Sequence, residues 1–493
     1  MNNIYLSKSS YCKCVQCEKI LWLSKYKKDD AVAGNNESVF ETGKEVGELA
    51  KGLFGNYTDI PFDEKLNIRI KKTEELLEDK PNVITEASFI YNNNFCSVDI
   101  LKNDSDGVEI YEVKSSTQIK DIYVDDATYQ YFVLSNLGLN VKKVAIVYIN
   151  NEYIRGKELD INQLFNIEDI IDITKQKQDE IRANIDMINN YMEVHDQDNE
   201  PVKDIGTYCF DPYSCPFWEY CTKDLPTPNV FDISGMQKRS KFKKYYEGKI
   251  SFEDLQNEDL NPKYLEQIDF ELNDRKPKIE KEAINKTMDL LKYPLYFIDY
   301  ETYNTPIPEI EGTRPYQPLP FQYSLHILKD ENAELEHKEF LAESDDKEFI
   351  RHFAENLIKD LSEDGSVIIY SNYEHTINNN ISNRFPDLEE DINRINSNLV
   401  DFLPIFKQHN YYMKEMNGSA SIKDVLPALC PELDYSKLPL IHKGDEASEA
   451  FKSLKNKNHE EQEEIRYALL QYCELDTYAM VKIYEKFKEI MVE

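Results

Sequence analysis

Glycine is scarce in this chain, 15 of 493 residues, and positive charge falls short of negative: 58 Lys and Arg stand against 92 Asp and Glu, a formal net charge of −34. Few glycines together with many aromatics, mostly Tyr, exclude broad disorder. No apolar stretch approaches the about 20 residues of a membrane span. The opening Met1-Asn2-Asn3-Ile4-Tyr5 has neither a basic n-region nor a long apolar h-region. The expectation is a soluble cytoplasmic protein with no membrane partner. There is no internal repeat and no low-complexity tract, which excludes a solenoid.

The acidic balance disfavours binding driven by phosphate neutralisation alone. It is an average, however, and acidic sites filled by divalent ions attract phosphate. One local basic stretch exists, Lys238-Arg239-Ser240-Lys241-Phe242-Lys243-Lys244, readable as a solvated helix face or a nucleic-acid contact. At 41% hydrophobic residues the chain can build real cores, and its length predicts two or three domains. Nine cysteines in a cytosolic protein read as ligands or reduced thiols.

The fold class expected is α/β. Residues 1–60 read as mostly helical. Val83–Tyr91, Phe95–Leu101 and Glu109–Lys114 read as strands separated by polar turns, Asp125–Leu137 as a helix, Lys143–Ile149 as a strand and Glu168–Met192 as a long polar helix. Prolines at 226 and 228 mark a linker. The expected domains are 1–228, a charged helical linker at 229–292, and a second αβ domain at 293–493.

Near the second boundary the apolar run Tyr296-Phe297-Ile298 ends in Asp299-Tyr300-Glu301. Strand side chains alternate, so Asp299 and Glu301 share a face, a costly pairing unless a cation sits between them. Val367-Ile368-Ile369-Tyr370 is a later strand with Glu374 just beyond its end. Far downstream, Tyr472 and Asp476 share a helix face at i, i+4. This D-x-E, Glu and Y-x-x-x-D order resembles the tyrosine-type DEDD exonucleases of the DnaQ-like, RNase H-like fold. The resemblance implies four carboxylates holding two Mg²⁺ or Mn²⁺ ions about 4 Å apart, with Tyr472 orienting the attacking water. Relatives often carry Asp where Glu374 stands. Asp401 is a further acid, read as a helix cap.

In the first αβ region, Asp99 on one strand faces Glu112-Val113-Lys114 on the next. Two carboxylates and a backbone carbonyl suit a hard divalent ion, and Lys114 can orient water or steady developing charge. The pattern is that of PD-(D/E)XK nucleases. Ala127-Thr128-Tyr129-Gln130-Tyr131 resembles the Gln/Tyr motif that follows the catalytic Lys in RecB-family nucleases, which implies a role for Gln130. Gly43-Lys44-Glu45-Val46-Gly47-Glu48 resembles that family's first helical motif, with Gly47 where many relatives carry His; Glu45 or Glu48 is the expected third acid.

Cys209, Cys215 and Cys221 punctuate a Pro- and aromatic-rich segment, and Cys17 lies far upstream. One N-terminal and three C-terminal cysteines around a nuclease domain resemble the iron–sulfur RecB-like nucleases, which implies a [4Fe–4S] cluster clamping the domain's ends. Zinc fits the spacing less well. Cys12 and Cys14 are additional candidate ligands; Cys96, Cys430 and Cys473 read as core.

Segments Pro294–Glu301, Gly312–Tyr316, Pro320–His326, Gly418–Pro427 and Tyr472–Thr477 resemble an uncharacterised bacterial family that joins a RecB-like domain to a DnaQ-like one. What this implies is a metal-dependent nuclease acting on nucleic-acid ends, single-stranded DNA favoured and RNA possible, in repair, turnover or phage defence. Gln322 is expected at a 3′-terminal nucleotide. Ser421 and Lys423 are expected at a phosphate, with Ser421 equally a helix cap. The rival expectations are an RNA-processing exonuclease, a binding platform with one active site, and a redox-responsive iron–sulfur protein.

Overall fold

The computed structural model describes residues 5–32, 37–80 and 82–492, with the backbone alone at 37–40; the reading of Met1–Ile4 falls outside them. The chain forms two compact units, one of residues 1–224 with 305–317, the other of residues 225–304 with 318–493. Both are mixed α/β. Among the described residues no helix is long and apolar enough to cross a membrane.

Unit 1 is built on helices α1 (Lys8–Gln16), α2 (Glu18–Tyr26), α3 (Glu37–Ala50) and α4 (Leu66–Glu78), and on strands β1 (Asn82–Tyr91), β2 (Asn94–Asp104) and β3 (Gly107–Lys114). These three strands form an antiparallel meander. Helix α5 (Asp121–Asn136) then crosses to β4 (Val141–Ile149), which lies parallel to β3. Strand β5 (Phe165–Asp169) adds on antiparallel to β4. The expected single helix over 168–192 is therefore preceded by a strand and then broken into Ile171–Gln176 and α6 (Gln178–Val194). The pairing of Ile167 with Val147 and of Phe165 with Ile149 shows why: this run completes the sheet edge before the polar helix can start. The core lies between the sheet and α1, α5 and α6, with Ala127, Tyr129 and Val133 of α5 against Val98 and Ile110.

Unit 2 carries a five-stranded sheet of β6 (Leu295–Tyr303), β7 (Leu319–Leu328), β8 (Glu336–Leu341), β9 (Ser366–Ile369) and β10 (Leu399–Asp401), in the order β8-β7-β6-β9-β10. Strands β6, β7 and β8 are antiparallel neighbours, whereas β9 and β10 run parallel to β6. Its helices include α7 (Phe349–Asp360), α8 (Tyr373–Arg384), α9 (Ile422–Leu429), α10 (Gly444–Ser453) and the 34-residue α11 (His459–Val492). The central β6 is buried along Leu295–Ile298, as an apolar run covered on both faces must be. Helix α11 buries Leu469, Tyr472, Cys473, Asp476, Thr477, Met480 and Tyr484, the i, i+3, i+4 stripe of an amphipathic helix.

The stretch read as a linker, 229–292, is packed within unit 2. Gln267 donates to the carbonyls of Asp232 and Asn417. In the basic stretch, the helix Lys238–Tyr246 buries Phe242, Lys241 donates to the Phe231 carbonyl and Lys244 pairs with Glu258 at 2.7 Å.

Candidate active sites and cysteine cluster

In unit 2, β6 delivers Asp299 and Glu301 to one face, where α11 lies over them. One ligand atom each of Asp299, Glu301 and Cys473 falls within 4.8 Å of the others. Glu374, in the first turn of α8, is 3% exposed, and its Oε2 has no hydrogen-bond partner. Asp476 accepts a 2.6 Å bond from the Tyr435 hydroxyl. Lys423 donates to the Tyr472 hydroxyl at 2.7 Å.

Burial raises all four carboxyl groups, and their charges raise Asp299, Glu301 and Glu374 further. Burial pushes Asp299 well above the carboxylate range, and Asp476, Glu374 and Glu301 push it further. Burial and Asp476 do the same to Glu301. Burial raises Glu374 to about 8. Burial raises Asp476 to about 6 against the lowering effect of Tyr435, Lys423 and Tyr472. Burial and the neighbouring carboxylates also push the Tyr472 phenol up, so it stays a neutral hydroxyl. A cation in this cluster would relieve the repulsion and satisfy Glu374 Oε2; the carboxylate oxygens suit a hard divalent ion, while burial and Asp299 hold the neighbouring Cys473 as a neutral thiol.

Two residues that spacing alone did not single out complete this site. Tyr435 reaches Asp476 from a short 3-10 turn. Gly444 opens α10 so close that a Cβ there would stand 3.8 Å from Glu301 Oε2 and 4.0 Å from the Tyr472 hydroxyl. Ser421 caps α9, accepting from the backbone N–H of Lys423. Asp401 accepts from the N–H of Leu403, the first residue of a short helix. The nucleotide contact expected of Gln322 is corrected: it is fully buried and donates to the Leu469 carbonyl at 2.8 Å. Phe321 and Tyr323 beside it are core residues.

In unit 1 the β2–β3 ladder ends at Ile100 and Tyr111. One step beyond stand Asp99 and Glu112, where the Asp99 carboxylate accepts the Val113 N–H at 2.7 Å. Glu112 is buried. Its Oε1 takes Lys8 at 2.6 Å and Lys114 at 2.8 Å, and its Oε2 takes the amide of Gln130. Lys114 also pairs with Asp126 at 2.5 Å, and Asp126 accepts from Cys12. Burial works against the charge on Glu112, but Lys114 and Lys8 outweigh it and hold the carboxyl at about 2. Asp99 moves the other way, raised to about 7 by burial and by Glu112.

Glu45 stands exposed on α3, beside the buried Val46 and Ala50, and is not gathered to Glu112. Glu48 is taken up by Lys51. A third acid acting on the pair is instead Glu86 on β1. The β1–β2 ladder passes from Thr85–Ile100 to Ala87–Val98, leaving Glu86 across from Asp99 with φ +56. Its charge acts on Asp99, and burial raises its own carboxyl. A non-glycine residue in the left-handed region inside a strand is costly, and here it interrupts the ladder at Glu86 without shifting its register.

Cys17 lies between α1 and α2, and the Gln16 amide donates to the carbonyls of Tyr208 and Tyr213, both at 2.7 Å. That brings Cys17 to Cys215 and Cys221 around Phe217, Trp22 and Leu23, with Cys209 near enough for its charge to be felt. Burial raises all four thiols, Cys209 and Cys215 to about 11, and Cys17 adds to the rise at Cys209, Cys215 and Cys221. Cys12 is committed to Asp126. Cys96 and Cys473 are buried core, while Cys430 is half-buried.

Residues 296–421 match a family described as a domain of unknown function, DUF2779. Over 228 residues the chain is 29% identical to an uncharacterised protein, MG366, of Mycoplasma genitalium, covering 40% of this chain and 32% of that one. The chain thus spans about a third of that relative's length. No solved structure gives a significant match.

Proposed function

We propose that the protein is a metal-dependent nuclease, with a DnaQ-like, RNase H-like 3′→5′ exonuclease centre in unit 2 and a RecB-like PD-(D/E)XK centre in unit 1. The observation that carries the reading is the gathering of Asp299, Glu301, Glu374 and Asp476 around Tyr472 and Lys423. Strand order supports it as well. A three-stranded antiparallel meander followed by two parallel strands is the RNase H-like arrangement, and a meander with a helical crossover to a parallel strand is the PD-(D/E)XK core.

Two bound Mg²⁺ or Mn²⁺ ions would supply an activated water and stabilise the leaving 3′ oxygen. Asp299, Glu301, Glu374 and Asp476 are the residues to hold them. Tyr472, kept neutral and oriented by Lys423, offers its hydroxyl to position the incoming water. Lys423 also offsets the acidic field where a phosphate must enter. In unit 1, Asp99, Glu112 and Glu86 form the acidic set and Lys114 steadies the developing charge. The four cysteines lie about Phe217 and Trp22, and the likeness of their placement to iron–sulfur RecB-like nucleases favours a [4Fe–4S] cluster over zinc.

One observation favours a second reading for unit 1. Both oxygens of Glu112 are engaged, by Lys8, Lys114 and Gln130, as in a binding platform whose acid serves structure. End-labelled single-stranded DNA and RNA, incubated with Mg²⁺ or Mn²⁺, separate the readings. Stepwise 3′ loss abolished by Asp299→Ala supports the unit 2 centre. Residual cleavage that disappears only in the Asp299→Ala, Glu112→Ala double variant supports the unit 1 centre. Identical residual cleavage in both makes unit 1 the platform.

A further inference from the structure

Helix α11 covers more than the carboxylate centre. On β7, His326 stands across the ladder from His337 of β8, with the rings 4.6 Å apart. Glu474 of α11 approaches both. One ring nitrogen of each histidine and a Glu474 carboxylate oxygen lie within 4.8 Å of one another. His326 is buried, Glu474 half-buried and His337 exposed, so the group opens to solvent on one side.

A chain of hydroxyls sets the histidine tautomers. Thr477 donates its single hydroxyl hydrogen to the Glu474 carbonyl at 3.0 Å. The Ser324 hydroxyl, 2.7 Å from that of Thr477, must then be the donor in their bond. His326 Nδ1, 2.8 Å from Thr477 Oγ1, and His337 Nε2, 2.9 Å from Ser324 Oγ, are left to donate as well. The lone pairs therefore sit on His326 Nε2 and His337 Nδ1. An imidazole whose other nitrogen is fixed by a hydrogen bond is a metal ligand held in orientation. Ser324 and Thr477 are themselves buried, so the orienting groups are rigid.

We infer that His326, His337 and Glu474 bind a transition-metal ion of the zinc class, at a site separate from the carboxylate centre. Two imidazoles and one carboxylate make a borderline donor set with room for water, unlike the carboxylate-rich set around Asp299. The ion ties α11 to β7 and β8 at Glu474, two residues from both Tyr472 and Asp476. It thereby fixes the register of the helix that carries them. This assignment stands whether or not the protein cleaves nucleic acid.

The test is Zn²⁺ stoichiometry by equilibrium dialysis on the full chain, purified anaerobically and held in excess Mg²⁺. A parallel Co²⁺ titration reads the visible d–d bands, which a nitrogen–oxygen site gives without the thiolate charge-transfer band of a cysteine site. Wild type and Asp299→Ala are expected to bind one ion that His337→Ala and Glu474→Gln bind at least about tenfold more weakly. His337 is exposed on an edge strand, and far-UV circular dichroism confirms that its variant folds; Glu474→Gln decides if it does not. Equal binding by wild type and both site variants overturns the inference. So does loss in Asp299→Ala with retention in the other two, which assigns the ion to the carboxylates.

Discussion

The ammonium of Lys423 lies 2.7 Å from the hydroxyl of Tyr472, and its charge offsets Asp299, Glu301 and Asp476 at once. One cation thus orients the phenol and tempers the acids. Removing the hydroxyl while keeping the ring, in Tyr472→Phe, is expected to slow single-turnover cleavage about tenfold to a hundredfold with KM little changed. Lys423→Met should slow cleavage comparably and also lower Tm in EDTA, because the acids then repel one another unopposed. An unchanged rate in Tyr472→Phe removes the phenol from the mechanism.

Stability of the metal-free protein should fall with rising pH. Glu374 titrates at about 8 and Asp476 at about 6 in the fold, with Asp299 and Glu301 held well above the carboxylate range. In the unfolded chain these groups titrate near about 4. The fold therefore keeps protons that the unfolded chain releases. Its stabilisation is complete below about pH 4 and is lost as pH rises through about 6 to 8. Thermal melts in EDTA should show a loss of at least about 2 kcal/mol from mildly acidic to mildly alkaline pH. Mn²⁺ should flatten that slope, and Glu374→Gln should reduce it without metal. A pH-independent Tm in EDTA would mean the four carboxyls do not share one buried cluster.

Much of this site could be read from the chain. The apolar run before Asp299 predicts a buried strand, alternation puts Glu301 on the same face, and i, i+4 spacing puts Tyr472 with Asp476. The strand-pairing logic likewise places Asp99 beside Glu112. Side chains brought in by tertiary packing left no local signal: Tyr435 from a short turn, Gly444 from a helix start, Lys8 and Asp126 from helices over the first sheet. Gln322 shows the converse. A polar residue on a strand reads as a contact for a ligand, yet its environment depends on what covers that face, and here α11 does. Glu45 fails for a similar reason. A helix pattern names the buried face through Val46 and Ala50 but not what that helix's charged face meets.

Glu86 should trade stability for activity. Its φ of +56 is strained for any residue with a Cβ, and its carboxyl is pushed up by burial. Glu86→Gly removes both penalties, against the usual entropic cost of glycine, and is expected to raise stability by about 1 kcal/mol. The same change should abolish any cleavage that survives Asp299→Ala. Measuring Tm and residual Mn²⁺-dependent cleavage in the Asp299→Ala background reads both. A destabilised Glu86→Gly variant with cleavage intact would make the strained backbone at Glu86 a packing feature.

The cysteines should report on their own cofactor. Burial raises the four thiols, Cys209 and Cys215 to about 11, so without a metal they are protonated at neutral pH. Loading must release protons and contribute to folding. Because Cys17 and the 209–221 segment are far apart in the chain, a shared cluster closes a long loop, and its loss costs more than a local contact would. Anaerobically purified protein is expected to show a broad visible absorption that bleaches with dithionite. Cys17→Ser and Cys215→Ser should each lose it together with several degrees of Tm, whereas Cys430→Ser should change neither. A colourless protein that carries one zinc per chain, lost on Cys17→Ser, would replace the iron–sulfur assignment with a thiolate zinc site. Retention of colour in Cys17→Ser would pass the fourth ligand to Cys14, which is buried near Cys17 on α1.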